Sequence, residues 1–206
     1  MTTATTPIPP SVALEEGRLI ERFLPHADIT ERHEVIIRAP ADLVFDVAEN
    51  FNLRSIPLIR AIFWLRAKLL GGAPPSAELF EKGLVAETKA LGWGVLAQRP
   101  GRELVMGGVT QPWKADVTFT AVPEDRFLAF AEPDLVKIVW TLEAEPLGDS
   151  LTRFRHETRV VATDEAARQK FRRYWRVFGI GIVMIRWLLL PALRREAERR
   201  SRLIRR

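Results

Sequence analysis

The 206-residue sequence contains no cysteine, only one tyrosine and only three histidines. The absence of cysteine excludes disulfide bonds, thiolate nucleophiles and cysteine-ligated metals. His26, His33 and His156 do not fall in a HExxH or similar arrangement, so no metal site is expected. The sequence also lacks a GxSxG motif, a Walker motif and a dinucleotide-binding motif. The glycines of Gly179-Ile-Gly181 lie inside a helical run rather than after a strand, so they favour close helix packing over phosphate binding. We therefore expect no cofactor.

The N-terminal residues lack the features of a secretory signal. The opening MTTATTPIPP has neither a basic region nor an apolar region. We expect residues 1–27 to form a partly disordered extension and the protein to be cytoplasmic. The apolar fraction of 47% is that of an ordinary globular protein, and the remaining length suits one domain.

The net charge of +5 is distributed unevenly along the chain. From Asp164 onward there are 13 basic and 4 acidic residues, which leaves 18 basic and 22 acidic residues before that position. The positive charge therefore belongs to the C-terminal segment. Residues 194–206 are expected to form a basic helical extension. Because the rest of the chain is net acidic and no nucleic-acid-binding motif occurs, we expect no specific nucleic-acid partner.

The order of predicted elements is a strand, two helices, a series of strands and a long helix. The first strand covers 31–38, and Pro40 starts a helix over 41–51. Ser55 is the predicted N-cap of a second helix that ends at Gly71-Gly72, and Ser76 could cap a further short turn over 77–83. Consecutive short runs then predict an antiparallel meander with strands at 92–98, 103–111, 115–122, 126–131, 134–145 and 151–162.

The last two strands alternate between apolar and charged positions, so we expect one solvated face and one covered face. The covering element is the helix predicted from Thr163, whose hydroxyl is the expected N-cap. Its apolar residues recur at intervals of three and four, which is long enough to cover a sheet: Phe171, Trp175, Phe178, Ile182, Ile185 and Leu189.

Three stretches carry a resemblance to a known superfamily: ERHEVIIRAPADLVFDVAENF, GWGVLAQRPGRELVMGGVTQPW and RFRHETRVVATDEAARQKFRRYW. Over residues 30–193 the chain resembles the small bacterial members of the START-like, or SRPBCC, helix-grip superfamily, which includes polyketide cyclases and lipid-transfer domains. The resemblance implies an α+β fold in which a curved antiparallel sheet wraps around a long C-terminal helix, with two short helices after the first strand. The corresponding domain would cover residues 28–193.

The same resemblance implies an apolar cavity between sheet and helix. Such a cavity suits a small hydrophobic ligand, either lipid-like or aromatic and polyketide-like. The residues expected to contact the ligand are Trp93 (or Leu96 in its place), Met106, Trp113, Phe130, Trp140, Phe154, His156, Thr158, Trp175 and Phe178.

His156 is the candidate catalytic residue. It could act as a general base, or orient a ligand carbonyl, in a cyclase- or hydrolase-like enzyme. The alternative is a structural histidine that is hydrogen-bonded to the backbone or to a threonine. We expect a ligand-binding protein without catalytic activity and keep the enzyme as the second hypothesis.

The arginines and apolar residues of the C-terminal helix allow several interpretations. Arg172, Arg176 and Arg186 could bind an anionic head group, although an exposed helix face is the simpler reading. Residues 177–193 are barely long enough to span a bilayer, and Arg186 and Pro191 disfavour a span. Apolar residues outside the sheet-facing stripe, and a similar basic and apolar second helix, suit an anionic membrane surface at the inner face of the membrane. They equally suit packing of the two helices on each other or a homodimer interface.

Overall fold

The computed structural model describes residues 17–53, 56–73 and 82–204. After a 3-10 turn at Leu19–Arg22, the helices are α1 (Ala41–Glu49), α2 (Pro57–Leu70), α3 (Leu84–Ala90), α4 (Glu124–Phe127) and α5 (Glu165–Ile204). The strands are β1 (Ile29–Ile37), β2 (Gly94–Arg99), β3 (Glu103–Thr110), β4 (Phe119–Thr120), β5 (Val136–Gly148) and β6 (Leu151–Ala162).

The strands form one antiparallel sheet in the order β1-β6-β5-β3-β2, with β4 pairing with β3. β2 and β3 are joined by a tight turn that contains Gly101 in the left-handed conformation, with a φ of 68°. α1 and α5 pack on one face of the sheet, which we call the inner face. The α+β helix-grip fold predicted from the sequence is confirmed.

Strand register determines which side chains share the inner face. Trp140 lies opposite Met106 on one side and Thr158 on the other, and Leu142 lies opposite His156. His156 in turn lies opposite His33 of β1. Because side chains alternate along a strand, the inner face carries the even-numbered residues of β5 and β6, as the sequence predicts.

α5 begins one residue later than predicted. The Asp164 carboxylate accepts a hydrogen bond of 2.7 Å from the Ala167 amide, so Asp164 is the N-cap. The Thr163 hydroxyl instead donates to the Leu135 carbonyl at 2.9 Å, so the prediction that it caps the helix is wrong. A carboxylate also suits the positive end of the helix dipole.

The helix is continuous through Pro191, and residues 194–204 extend it without a break. Ala197 and Ser201 are buried, and the Glu198 carboxylate accepts a hydrogen bond from the Arg38 amide. This basic segment is therefore packed on the domain. By length and composition α5 is the one described helix that could cross a bilayer, a test that the buried helix of a soluble fold also passes.

The outer face of β5 and β6 is largely covered, which corrects the expectation that these strands have a solvated face, whereas the outer face of β1 is exposed. Glu157 is only 1% exposed and pairs at 2.7 Å with both Arg159 and Arg18. The segment from Arg18 to Leu24 closes over these charges, and it inserts Ile20 and Phe23 into an apolar cluster with Phe127 of α4. Because these opposite charges, on β6 and on the N-terminal segment, neutralise one another, an apolar segment can bury them.

Two predicted strands differ from the observed elements. Residues 126–131 do not form a strand: Pro123 precedes the helical turn α4, and its fixed φ suits a helix start. The predicted strand at 115–122 is reduced to the two residues of β4. α3 was not predicted from the sequence. The caps proposed at Ser55 and Ser76 lie outside the described residues.

Candidate ligand-binding cavity

A cavity of about 320 Å³ lies between the inner face of the sheet and helices α2, α3 and α5. This volume is at the lower end of the roughly 300–1,000 Å³ typical of ligand sites. Most of its wall is apolar or aromatic. A polar patch on one wall is formed by Glu31, His33, His156, Thr158 and Arg186, and Arg66 and Glu87 lie elsewhere on the lining.

Aromatic rings form one side of the cavity. Trp93 stacks on Phe119 with 4.6 Å between ring centroids, and it meets Trp140 edge-on at 6.4 Å. Trp93 also lies against Gly108 of β3, where an added Cβ would be only 3.3 Å from the indole. The glycine therefore allows Trp93 to approach the sheet.

Both ring nitrogens of His156 are engaged. Nδ1 lies 2.7 Å from the Thr141 carbonyl, which can only accept, so Nδ1 carries the proton. Nε2 then accepts a hydrogen bond of 3.2 Å from Nε of Arg186. Burial, reinforced by the positive charge of Arg186, lowers the pKa of His156 to about 3. The neutral imidazole has no free lone pair with which to act as a general base.

Arg186 projects from α5 into the polar patch. Its Nη2 donates to the Thr158 hydroxyl at 3.3 Å, and its Nη1 donates to the Ile182 carbonyl at 3.3 Å. Burial lowers the pKa of Arg186 to about 10, and the negative charge of Glu31 opposes this effect. The guanidinium therefore remains charged at neutral pH.

A second arginine, Arg66 of α2, lies at the end of the cavity formed by Pro112 and Tyr174. Its Nε donates to the Tyr174 hydroxyl at 3.1 Å, and its Nη2 donates to the Pro112 carbonyl at 2.9 Å. These bonds tie α2 to α5 and to the loop after β3. The only tyrosine of the chain is thus a structural partner of Arg66.

The structure brings together half of the residues expected from the sequence. Trp93, Trp140, His156, Thr158 and Trp175 line the cavity. The other five do not line it: Met106, Trp113, Phe130, Phe154 and Phe178.

Each residue outside the cavity has a physical reason for its position. Met106 and Phe154 are on the inner face, but they are fully buried in the core cluster that includes α1. Trp113 and Phe178 line a separate shallow groove beside Tyr174. Phe130 follows α4 and packs with the cluster on the outer face, as does Leu96, the alternative to Trp93.

Of the three arginines that could bind an anionic head group, only Arg186 lies in the cavity. Arg172 and Arg176 are exposed, as expected for a solvated helix face, whereas Arg186 lines the cavity. A signal was present in the sequence: Arg186 follows Ile182 by four residues and precedes Leu189 by three, so it falls within the apolar stripe.

Two other expectations concern metals and glycines. Among the described residues, no group of three or more histidine and acidic side chains could hold a metal ion. An added Cβ on Gly181 would be 3.2 Å from Ile62 of α2, so this glycine permits close packing of the two helices.

No protein-family model matches the chain, and no curated protein matches its sequence. Its structure is similar to a conserved protein from Geobacillus kaustophilus, with 7% identity, a TM-score of 0.34 and coverage of 83% of this chain and 96% of that one. It is also similar to the Zhui aromatase/cyclase from Streptomyces sp. R1128, with 15% identity, a TM-score of 0.26 and coverage of 84% and 94%. A third similar structure is norcoclaurine synthase from Thalictrum flavum, with 13% identity, a TM-score of 0.23 and coverage of 92% and 96%.

At these identities and TM-scores the fold assignment rests on the topology of the chain itself. The strand order, the two helices after β1 and the long C-terminal helix across the inner face are those expected from the START-like resemblance. On this topology the chain has the helix-grip fold.

Proposed function

We propose that the protein binds a small hydrophobic ligand, lipid-like or aromatic, in the cavity between the sheet and α5. The observation that supports this most is the mainly apolar wall, which includes the indoles of Trp93, Trp140 and Trp175. Binding of an apolar ligand to such a wall is favourable, because apolar surface of both the ligand and the protein is removed from water. The engaged nitrogens of His156 favour binding over catalysis.

A neutral fluorescent probe tests this proposal directly. N-phenyl-1-naphthylamine should bind the purified protein and accept excitation energy from the cavity tryptophans. Native mass spectrometry of the protein as purified should show a co-purifying hydrophobic molecule, and added ligand should raise the melting temperature.

Matched variants on α5 locate the binding site. Val183 lines the cavity, whereas Val177, on the same helix, is 65% exposed. Val183→Trp should fill the cavity and weaken probe binding, and Val177→Trp should leave it unchanged. Equal probe affinity in the two variants would place the probe elsewhere, and the absence of any binding to the wild type would refute the proposal.

A second function, membrane-surface association, is supported by the opposite side of α5. Ile180 is 72% exposed and Trp187 is 67% exposed, and the exposed Arg173 and Arg176 lie on the same helix. α2 likewise exposes Trp64, with the Lys68 ammonium 5.0 Å above its ring. Exposed aromatic and aliphatic residues near arginines suit an anionic lipid surface.

Vesicle sedimentation tests this second function. The protein should bind phosphatidylglycerol-containing vesicles more than pure phosphatidylcholine vesicles, and Ile180→Asp should reduce the binding. Leu147→Asp, near the end of β5, is the control because Leu147 is also exposed but belongs to neither α5 nor α2. If Ile180→Asp instead converts a dimer to a monomer without changing vesicle binding, the face is a homodimer interface.

A further inference from the structure

The arginines of this protein are partnered differently on the two faces of the sheet. On the outer face, the buried Arg155 and Arg159 each pair with more than one carboxylate, and the shortest distances are 2.6 Å for both. On the inner face, within the described ranges, Arg186 has no carboxylate within 4.0 Å. The fold therefore neutralises its buried outer arginines with its own acids, whereas Arg186, which is partly buried and lines the cavity, has no such partner.

The acceptors that Arg186 does have are all neutral. They are Nε2 of His156, the hydroxyl of Thr158 and the carbonyl of Ile182, at 3.2 to 3.3 Å. A guanidinium carries five N–H donors, so these bonds leave two donors, one on each terminal nitrogen. Two parallel N–H groups on the terminal nitrogens match the two oxygens of a carboxylate.

A guanidinium that faces a mainly apolar cavity with no carboxylate in contact is poorly solvated, and a bound anion would stabilise it. The low pKa of His156 keeps the imidazole neutral, so it accepts a hydrogen bond from Arg186 and adds no competing positive charge. Glu31 lines the same patch, opposite Thr158 in the strand register, but its carboxylate lies 3.6 Å from His33 rather than in contact with Arg186.

We propose that the ligand of this cavity is an amphipathic carboxylate whose head group binds the guanidinium of Arg186. This inference rests on the proposed function, because the apolar part of the ligand occupies the aromatic cavity. Arg186 fixes the position of the carboxylate, and Thr158 and His156 hold Arg186 in place. The apolar part is an alkyl chain or an aromatic ring system.

Paired ligands that differ only in the head group test the inference by displacement of bound N-phenyl-1-naphthylamine. Dodecanoate is compared with 1-dodecanol, and 2-naphthoate with 2-naphthol, so that the two kinds of apolar part are distinguished. We expect each acid to bind about tenfold to a hundredfold more tightly than its alcohol, as for a charge-assisted hydrogen-bonded pair.

Three substitutions assign the preference to Arg186. Arg186→Met should abolish the preference for the acid and keep the affinity for the alcohol. Arg195→Met is the matched control, because Arg195 is exposed on the same helix. Glu31→Gln removes the nearest negative charge of the patch and should increase the affinity for the acid.

A measurement on the wild-type protein covers the case in which Arg186→Met does not fold. The ¹³C resonance of carboxyl-labelled dodecanoate should show that the bound acid stays ionised to a lower pH than the free acid, because Arg186 stabilises its charge. Equal affinities for acid and alcohol, or a raised pKa of the bound acid, would overturn the inference and leave hydrophobic binding intact. If the neutral probe does not bind at all, the proposed function itself fails.

Discussion

The neutral, buried state of His156 should make the stability of the protein depend on pH in a range where few other groups titrate. The pKa of His156 is about 3 in the folded protein, against 6.5 for an ordinary histidine. Because the folded value is the lower one, the unfolded chain takes up a proton first as the pH falls. The free energy of unfolding is therefore unaffected by His156 above pH 6.5, where the imidazole is neutral in both states. It falls progressively as the pH drops from 6.5 towards 3, because only the unfolded chain binds the proton.

The size of the effect follows from the two pKa values. Each pH unit between them corresponds to about 1.4 kcal/mol, so lowering the pH from about 7 to about 5 should cost about 2 kcal/mol. Carboxylates with a lowered pKa, such as those of Glu21 and Glu196, also stabilise the folded protein. Their contribution is lost only below their ordinary value of 4.5. Burial raises the pKa of Glu103, which acts in the opposite sense, so a comparison with a His156 variant is needed to isolate the histidine.

Urea unfolding at several pH values, for the wild type and for His156→Asn, measures the effect. The asparagine amide can still donate to the Thr141 carbonyl but does not titrate. The wild type should lose about 2 kcal/mol more than the variant between about pH 7 and pH 5, and the exposed His26→Asn variant should behave as the wild type. Equal pH dependence in wild type and His156→Asn, or an imidazole NMR signal of His156 that titrates near pH 6.5, would refute the reasoning.

Two further predictions concern the inner and outer faces of the sheet. Gly108→Val should push Trp93 towards the cavity, weakening probe binding and costing about 1–3 kcal/mol through overpacking; Gly148→Val, at a position with no atom within 4 Å of an added Cβ, should do neither. Glu157→Gln should reduce the free energy of unfolding by about 1–3 kcal/mol, because it removes one carboxylate partner from Arg159 and from Arg18, whose pairs with Glu21 and Glu143 remain. Urea unfolding measures both costs, and a Glu157→Gln loss below about 1 kcal/mol would show that the outer network is solvated.

The elements predicted correctly are those with a strong local period. β5 and β6 alternate over a dozen residues, and the apolar residues of α5 recur every three to four positions. Such patterns depend only on which face of an element is buried, so they can be read without knowledge of the neighbours. The α+β class and the identity of the covering helix follow from them.

The cover of the outer face could not be predicted in this way. Leu19 to Leu24 is too short to show a period, and the charges on the outer side of β6 indicate water when read alone. They are buried because Arg159 of one strand and Glu21 of the N-terminal segment pair across 138 positions of sequence. Pairing at that separation is a property of the tertiary structure, which no local pattern contains.

Only half of the residues predicted to line the cavity do so, for a related reason. Alternation placed Trp140, His156 and Thr158 on the inner face, but it did not say which inner positions are covered by core packing. Phe154 shares their face and is nevertheless sealed off in the core cluster that includes α1. The boundary between core and cavity depends on where α1 ends and α3 begins, and α3 was not predicted.

Arg186 explains how one helix can have the composition of a membrane span and still form a wall of the cavity. Residues 177–193 are apolar apart from this arginine, and a charged arginine near the bilayer centre costs roughly 2.5–3.5 kcal/mol. Against the sheet, the same guanidinium meets His156 and Thr158, two acceptors that strand alternation places side by side on the inner face of β6. The residue that disfavours a span therefore also hydrogen-bonds α5 to the sheet. Its two remaining donors are the physical reason to expect an acid, rather than a neutral lipid, in the cavity.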